Sequence, residues 1–136
     1  MAYFLAKTDP ETYSIDQLEK DRKTVWDGVN NPQAVRAIRE MRPGDKVFIY
    51  HSGGLSAVVG LARVLSEGRP DPKNPKSGVA DFEFVTRLDP PVTLADIKQS
   101  KQFDDWALVR QGRLSTMAAP EKFVAWMRKK FPKAGI

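Results

Sequence analysis

The residues best suited to chemistry in this 136-residue chain lie in a short Gly- and Asn-rich segment, where Trp26 precedes the amides of Asn30 and Asn31. An indole ring that lines a cavity stacks on a planar base with about 1–3 kcal/mol, and side-chain amides hydrogen-bond to the edge of such a group. Two interpretations stay open. Trp26 either plugs a loop onto the core or walls a pocket, and Asn31 either reads a ligand or caps a helix.

Other chemical signatures are few. The chain has no cysteine, which excludes disulfides, thiolate nucleophiles and cysteine-ligated metals. Its single histidine, His51, lies at a predicted strand end, where a hydrogen-bonded structural role is favoured over general-base catalysis. The sequence contains no Gly-rich phosphate loop, no nucleophile elbow and no HExxH motif. We therefore predict no catalytic residue, no metal site and no cofactor.

The positive charge is concentrated at one end of the sequence. Residues 1–100 contain 14 basic and 14 acidic residues, whereas residues 101–136 contain 8 basic and 3 acidic residues, which accounts for the net charge of +5. Such asymmetry is compatible with a polyanionic partner such as nucleic acid, although mildly basic small domains are common.

Helix signals occur at four places. Ser14 with Gln17 predicts a capped helix over 15–21, and Asn31 followed by Pro32 predicts the next helix, which ends at residues 42–45. Thr93 predicts a cap for a helix over 94–100. The last helix begins at residues 120–121, and its apolar stripe contains Trp126.

Strand signals occur between these helices. Apolar runs predict strands over 3–7, 46–51, 57–65 and 79–88, with the middle two forming a hairpin and Gly60 marking a bulge or a close approach. Residues 66–78 are predicted as an exposed loop, the prolines at 90–91 as a strand end, and 108–110 and 113–116 as short extended pieces. This order predicts an α+β fold with a curved or barrel-like sheet.

Several segments, in this order, resemble the EVE domain of the PUA-like superfamily. The matching segments cover nearly the whole chain: Leu5–Glu11, Trp26–Ala34, Met41–Ser52, Val59–Val64, Pro91–Leu94 and Arg113–Ser115. The resemblance implies a PUA-like mixed β-barrel flanked by short helices. It also implies that the domain reads a modified base, such as a modified cytosine or adenine, in DNA or RNA.

The resemblance assigns expected roles to particular residues. Trp26 becomes the wall of an aromatic cage and is the single wall that can be identified. The remaining expected contacts come from the first strand, the hairpin side and the far side of the pocket: Lys7, Thr8, Asp9, Asn30, Asn31, Tyr50, Ser52, Arg110, Arg113, Leu114 and Ser115. Among these, Lys7, Arg110 and Arg113 are candidates for contacts with flanking phosphates.

Two alternatives to a reader domain stay open. Some PUA-like relatives of the ASCH type hydrolyse modified nucleosides with a threonine, a lysine and a carboxylate, residue types found at Lys7, Thr8 and Asp9. Neighbouring side chains on a strand point to opposite faces, which makes a shared reacting centre awkward. The second alternative is a protein-interaction module in which the pocket is vestigial.

The composition also sets the expected class. With 41% hydrophobic and 29% charged residues, we expect one globular domain over 1–136. The N-terminal segment lacks the basic leader of a signal peptide, and no apolar run approaches the roughly 18 residues that span a bilayer. We expect a cytoplasmic protein without membrane contacts, and the sequence gives no indication of its oligomeric state.

Overall fold

Seven strands form one mixed sheet with five short helices packed around it. A computed structural model describes all residues, 1–136. The elements in chain order are β1 (Tyr3–Thr8), α1 (Ile15–Asp21), β2 (Lys23–Val29), α2 (Pro32–Glu40), β3 (Lys46–His51), β4 (Ala57–Val64), β5 (Arg69–Asp71), β6 (Asn74–Thr93), α3 (Leu94–Gln99), α4 (Ala107–Arg110), β7 (Thr116–Ala118) and α5 (Glu121–Lys130). None of these helices is long and apolar enough to cross a lipid bilayer.

The sheet has the order β2-β6-β4-β3-β1-β7, and β5 pairs with β6 beside this path. β1 runs parallel to β3, whereas every other pairing is antiparallel. The sheet curls into a half-barrel, which confirms the predicted α+β, PUA-like architecture. β2 and β7 lie at the two ends of the path, so the barrel is not closed by hydrogen bonds between them.

An aromatic cluster fixes the C-terminal segment onto the sheet. Phe123 of α5 lies 5.2 Å from Phe48 of β3, 5.4 Å from Phe103 and 4.4 Å from Trp106, measured between ring centroids. The indole N–H of Trp106 donates to the carbonyl of Ala118 at 2.9 Å. Because Ala118 belongs to β7, this contact holds the short end strand beside β1.

The predicted helix starts and the hairpin are confirmed. Ser14, Asn31 and Thr93 accept hydrogen bonds as N-caps, and Thr93 forms a reciprocal capping box with Asp96. The β3–β4 hairpin has a register shift next to Gly60. A Cβ atom on Gly60 would lie 2.3 Å from Ile15 Cδ1, so the predicted close approach is also confirmed.

Four local predictions are wrong. Residues 26–29 form the end of β2 instead of a loop, because Trp26 pairs with Ala80 of β6 across a long sequence separation. Residues 66–78 contain β5 and the start of β6, and residues 108–110 form the helix α4. β6 also continues past the prolines at 90–91, where its register against β4 shifts between the Gly60–Arg87 and Val58–Val92 pairs.

A substitution at Gly68 tests the packing of α2 against the β4–β5 connection. A Cβ atom at this position would lie 1.9 Å from the backbone oxygen of Ile38. We expect Gly68→Ala to lower the free energy of unfolding by about 1–3 kcal/mol, as overpacking does. Gly112→Ala is the matched control, because its Cβ would meet no atom within 4 Å. Urea denaturation measures both, and equal stabilities would contradict this packing.

Candidate nucleic-acid interface

A cavity of about 480 Å³ lies where the half-barrel is open. One wall comes from the end of β1 and from Ser115, which directly precedes β7, and the other comes from β2 and the segment after β1. The lining residues are Lys7, Thr8, Asp9, Thr12, Tyr13, Thr24, Val25, Trp26, Asp27, Gly28, Val29 and Ser115. The cavity therefore joins residues that lie more than 100 positions apart in the sequence.

Trp26 is both a core residue and a cavity wall. Its side chain is 6% exposed and stacks on Phe82 of β6, with ring centroids 5.1 Å apart and an interplanar angle of 23°. Trp26 is also among the residues that line the cavity. The two interpretations of Trp26 from the sequence are thus compatible, because the residue packs on the sheet and also borders the open space.

Tyr13 is an aromatic cavity residue that sequence reasoning missed. Its ring meets Trp26 edge-on at 6.1 Å between centroids. The phenol donates to Asp21 Oδ2 at 2.9 Å, and burial is the main cause that raises the pKa of Tyr13. Tyr13 directly precedes the N-cap Ser14, a position usually occupied by a residue that packs on the helix start, so its sequence position carried no signal for a cage.

The segment between β1 and α1 is held in place from two sides. The hydroxyl of Thr8 donates to the carbonyl of Tyr13 at 2.8 Å. On the other side, the backbone N–H of Ile15 donates to Nε2 of His51 at 3.0 Å. His51 therefore has the structural role that its strand-end position predicted, and it lines a second cavity instead of this one.

Lys7 is the cation of the cavity wall. Its Nζ donates to the carbonyl of Gly112 at 3.1 Å and lies 5.6 Å from the ring centroid of Tyr50. Burial lowers the pKa of Lys7, and burial also raises the pKa of Tyr50. Tyr50 is only 3% exposed and does not line the cavity, so its ring packs against Lys7 from the core side.

The structure brings five of the predicted contact residues together and leaves seven outside the lining. Lys7, Thr8, Asp9, Trp26 and Ser115 line the cavity. The residues outside the lining are Asn30, Asn31, Tyr50, Ser52, Arg110, Arg113 and Leu114. In this conformation none of them lines the cavity. Their roles in binding stay predictions.

The residues outside the lining have identifiable structural positions. Asn31 Oδ1 accepts from the N–H groups of Gln33 and Ala34, which makes it the helix cap. Leu114 is buried in the core, and Arg110 forms an exposed ion pair with Asp105 at 3.2 Å. Asn30 and Ser52 are exposed, and the backbone N–H of Ser52 donates to the carbonyl of Thr8.

Arg113 differs from Arg110 because it forms no salt bridge. Its side chain is exposed, next to the carbonyl that receives Lys7 Nζ. No group of three or more histidine, aspartate or glutamate side chains is arranged to hold a metal ion. The arrangement around the cavity combines an aromatic wall, hydroxyl groups, two exposed carboxylates and a cation, which suits a planar polar ligand.

Residues 2–130 match the EVE domain family. The chain belongs to that family. Human thymocyte nuclear protein 1 is 30% identical to this EVE domain over an alignment that covers 74% of the chain and 57% of the human protein. The rat protein gives the same identity and the same shares. This EVE domain thus spans little more than half the length of these curated relatives.

Solved structures share the fold closely. An NMR structure from Rhodopseudomonas palustris has a TM-score of 0.88 and 33% identity, over 96% of this chain and 92% of that one. A crystal structure from Pseudomonas syringae has a TM-score of 0.86 and 31% identity, over 96% and 100%. Human THYN1 in complex with DNA containing 5-methylcytosine has a TM-score of 0.85 and 25% identity, over 96% and 98%.

The His51 contact generates a prediction on pH. Burial, and secondarily the charge of Arg87, lower the pKa of His51 from its ordinary 6.5, while Asp16 and Asp9 oppose this shift. The neutral imidazole is therefore favoured in the folded state. Its contribution to stability is complete above pH 6.5 and is lost as the pH falls from 6.5 toward the lowered pKa of the folded state.

Urea denaturation at several pH values between 7.5 and 5 measures this loss. His51→Gln is the matched variant, because its amide oxygen accepts a hydrogen bond but does not titrate. We expect the free energy of unfolding of the wild type to fall more steeply with acidity than that of His51→Gln. Parallel pH profiles for the two proteins would contradict this role of His51.

Proposed function

We propose that this EVE domain binds nucleic acid that carries a modified base, and that the base enters the cavity beside Trp26. The observation that carries the proposal is the cavity at the open side of the half-barrel, whose lining brings Trp26 together with Lys7 and Ser115. The human relative in complex with DNA containing 5-methylcytosine supports the choice of ligand class.

The chemistry of the lining explains how such a base is held. Stacking on one aromatic wall stabilises a base by about 1–3 kcal/mol. Fit around one extra methyl group adds discrimination of only about 1–3 kcal/mol. Stronger rejection of a wrong base requires buried polar groups that it leaves unpaired. The hydroxyl groups of Thr24 and Ser115, both partly buried in the lining, supply donors and acceptors for that purpose.

A duplex substrate adds an energetic condition. The target nucleotide must leave the stack to reach a cavity, which costs a few kcal/mol. Single-stranded DNA or RNA avoids this cost. We therefore expect a single-stranded oligonucleotide with one 5-methylcytosine to bind more tightly than the same site within a perfect duplex.

We propose binding without turnover, because the polar atoms that a hydrolase would use are already engaged in structure. The hydroxyl of Thr8 donates to Tyr13 O, and Asp9 Oδ1 accepts from the N–H of Glu11 at 2.9 Å. One cavity is lined by Lys7, Thr8 and Asp9, although strand alternation predicted that neighbouring side chains would point to opposite faces. The alternation does not extend to Asp9, because β1 ends at Thr8. Release of a product from a modified nucleoside would contradict this part of the proposal.

Loss of the indole wall tests the cavity directly. We expect Trp26→Leu to weaken binding of a 5-methylcytosine oligonucleotide by about tenfold or more, because stacking is lost. Trp126→Leu is the matched control, since it also removes an indole that packs on other aromatic rings but lies outside the cavity. Fluorescence anisotropy gives the affinities, and urea denaturation verifies that both variants are folded. Equal affinities in the two variants would contradict the proposal.

The second aromatic wall has its own test. We expect Tyr13→Phe to bind the same oligonucleotide nearly as well as the wild type, because the ring that meets Trp26 is retained. Tyr13→Leu removes the ring and should weaken binding several-fold. Calorimetric titration measures both variants. If neither variant nor the wild type binds any modified nucleoside or oligonucleotide, a protein-interaction module becomes the better description.

A further inference from the structure

The tip between β5 and β6 carries cations that the fold does not use. We define the basic hairpin as residues 69–78. Lys73 and Lys76 are exposed in it, and neither forms a salt bridge. The acidic residue of the hairpin, Asp71, accepts a hydrogen bond from the backbone N–H of Lys73. These two lysines are therefore charged groups without a partner inside the chain.

The basic hairpin is fixed next to the cavity. Arg39 of α2 donates to the carbonyls of Pro75 at 3.0 Å and Ser77 at 3.3 Å. The hydroxyl of Ser77 donates to the carbonyl of Val29, which lines the cavity. Lys76 is thus one residue away from a direct contact with the cavity wall, on a segment held by hydrogen bonds from two elements.

The opposite side of the cavity also carries a free cation. Arg113 is exposed and forms no salt bridge, and it follows Gly112, whose carbonyl accepts from Lys7 Nζ. Cations therefore flank the cavity on the side of β2 and β6 and on the side of β1 and β7. A nucleotide whose base enters the cavity has a phosphate on each side of it, and cations lie on both of these sides.

We infer that the basic hairpin binds the phosphates of the strand that flanks the base in the cavity, with Lys73 and Lys76 as the contacts. This inference rests on the proposed function. Such contacts position a strand without reading its sequence, and they make affinity depend on salt. The hairpin then sets the path of the strand, while the cavity selects the base.

Charge reversal tests this inference. The probe is a single-stranded DNA of about a dozen nucleotides with one central 5-methylcytosine, titrated by fluorescence anisotropy between 50 and 300 mM KCl. We expect Lys73→Glu/Lys76→Glu to weaken binding at 50 mM KCl on the order of tenfold or more. The slope of log K against log salt should fall by about 1.4, since each lost contact with a single strand accounts for about 0.7.

Lys129→Glu/Lys133→Glu is the matched control, because it changes the net charge equally. Both lysines are exposed and unpaired at the C-terminal side of α5, where Arg128 donates to Tyr3 Oη. Tyr3 begins β1, and the cavity lies at the other end of that strand, about 17 Å away at 3.3–3.4 Å per residue. We expect the control to leave the salt slope unchanged.

A free nucleoside separates phosphate binding from cavity binding. 5-Methyldeoxycytidine has no phosphate, so calorimetry should give the same affinity for the wild type and for the hairpin variant. Lys73→Gln/Lys76→Gln, checked by circular dichroism melting, repeats the test without introducing negative charge.

The outcomes distinguish the two proposals. A wild type that binds no modified oligonucleotide overturns both of them. A wild type that binds, with a hairpin variant of equal affinity and salt slope, overturns only the role of the hairpin. Equal loss of nucleoside and oligonucleotide binding in a folded hairpin variant also overturns it, because the lysines would then act on the cavity.

Discussion

The unclosed edge of the sheet is the constraint on which the site depends. A strand at the end of a sheet leaves alternate backbone N–H and C=O groups unpaired. Arg22 O accepts from Phe84 N, so the ladder between β2 and β6 directs the backbone groups of Lys23 and Val25 away from β6. The space beside this edge is the cavity, and the end of β1 and Ser115, just before β7, form its opposite wall. A closed barrel of the same strands would have no such space.

In the proposed function, Trp26 couples stability to recognition, because the same residue packs in the core and lines the cavity. Its stack on Phe82 packs β2 against β6. Tyr13 depends on the same arrangement, since its position is set by Thr8 on one side and by His51 through Ile15 on the other. Contacts within the chain thus hold these lining residues in place, which lowers the entropic cost of ordering them in the proposed binding.

Local signals in the sequence were sufficient where the structure is local. The caps at Ser14, Asn31 and Thr93 act within a few residues, and the β3–β4 hairpin joins neighbouring segments. β2 was missed because Gly28 and Asn30 are typical turn residues, while the pairing that makes Trp26 part of a strand comes from β6, more than 50 residues later.

The candidate site likewise depends on contacts between residues that are distant in the sequence. No periodicity connects Lys7 with Ser115, and only the resemblance to the EVE domain placed both near Trp26 before the structure did. Tyr13 escaped both kinds of reasoning, because the residue before an N-cap usually packs on its own helix. Trp126, which the sequence places in the apolar stripe of α5, is only half-buried, whereas Phe123 and Met127 of the same helix are buried.

The register shift between Trp26 and Val29 has a consequence for the behaviour of the protein at high concentration. Open strand edges are where chains add to one another and aggregate, and natural proteins blunt them with bulges and lysines. Gly28, with φ of +76°, bends the end of β2, and Lys23 stands at its start. Val25 between them is 50% exposed but belongs to a straight stretch of only a few residues. The irregularity that helps to shape the cavity thus also keeps this edge a poor template for a second copy of the chain.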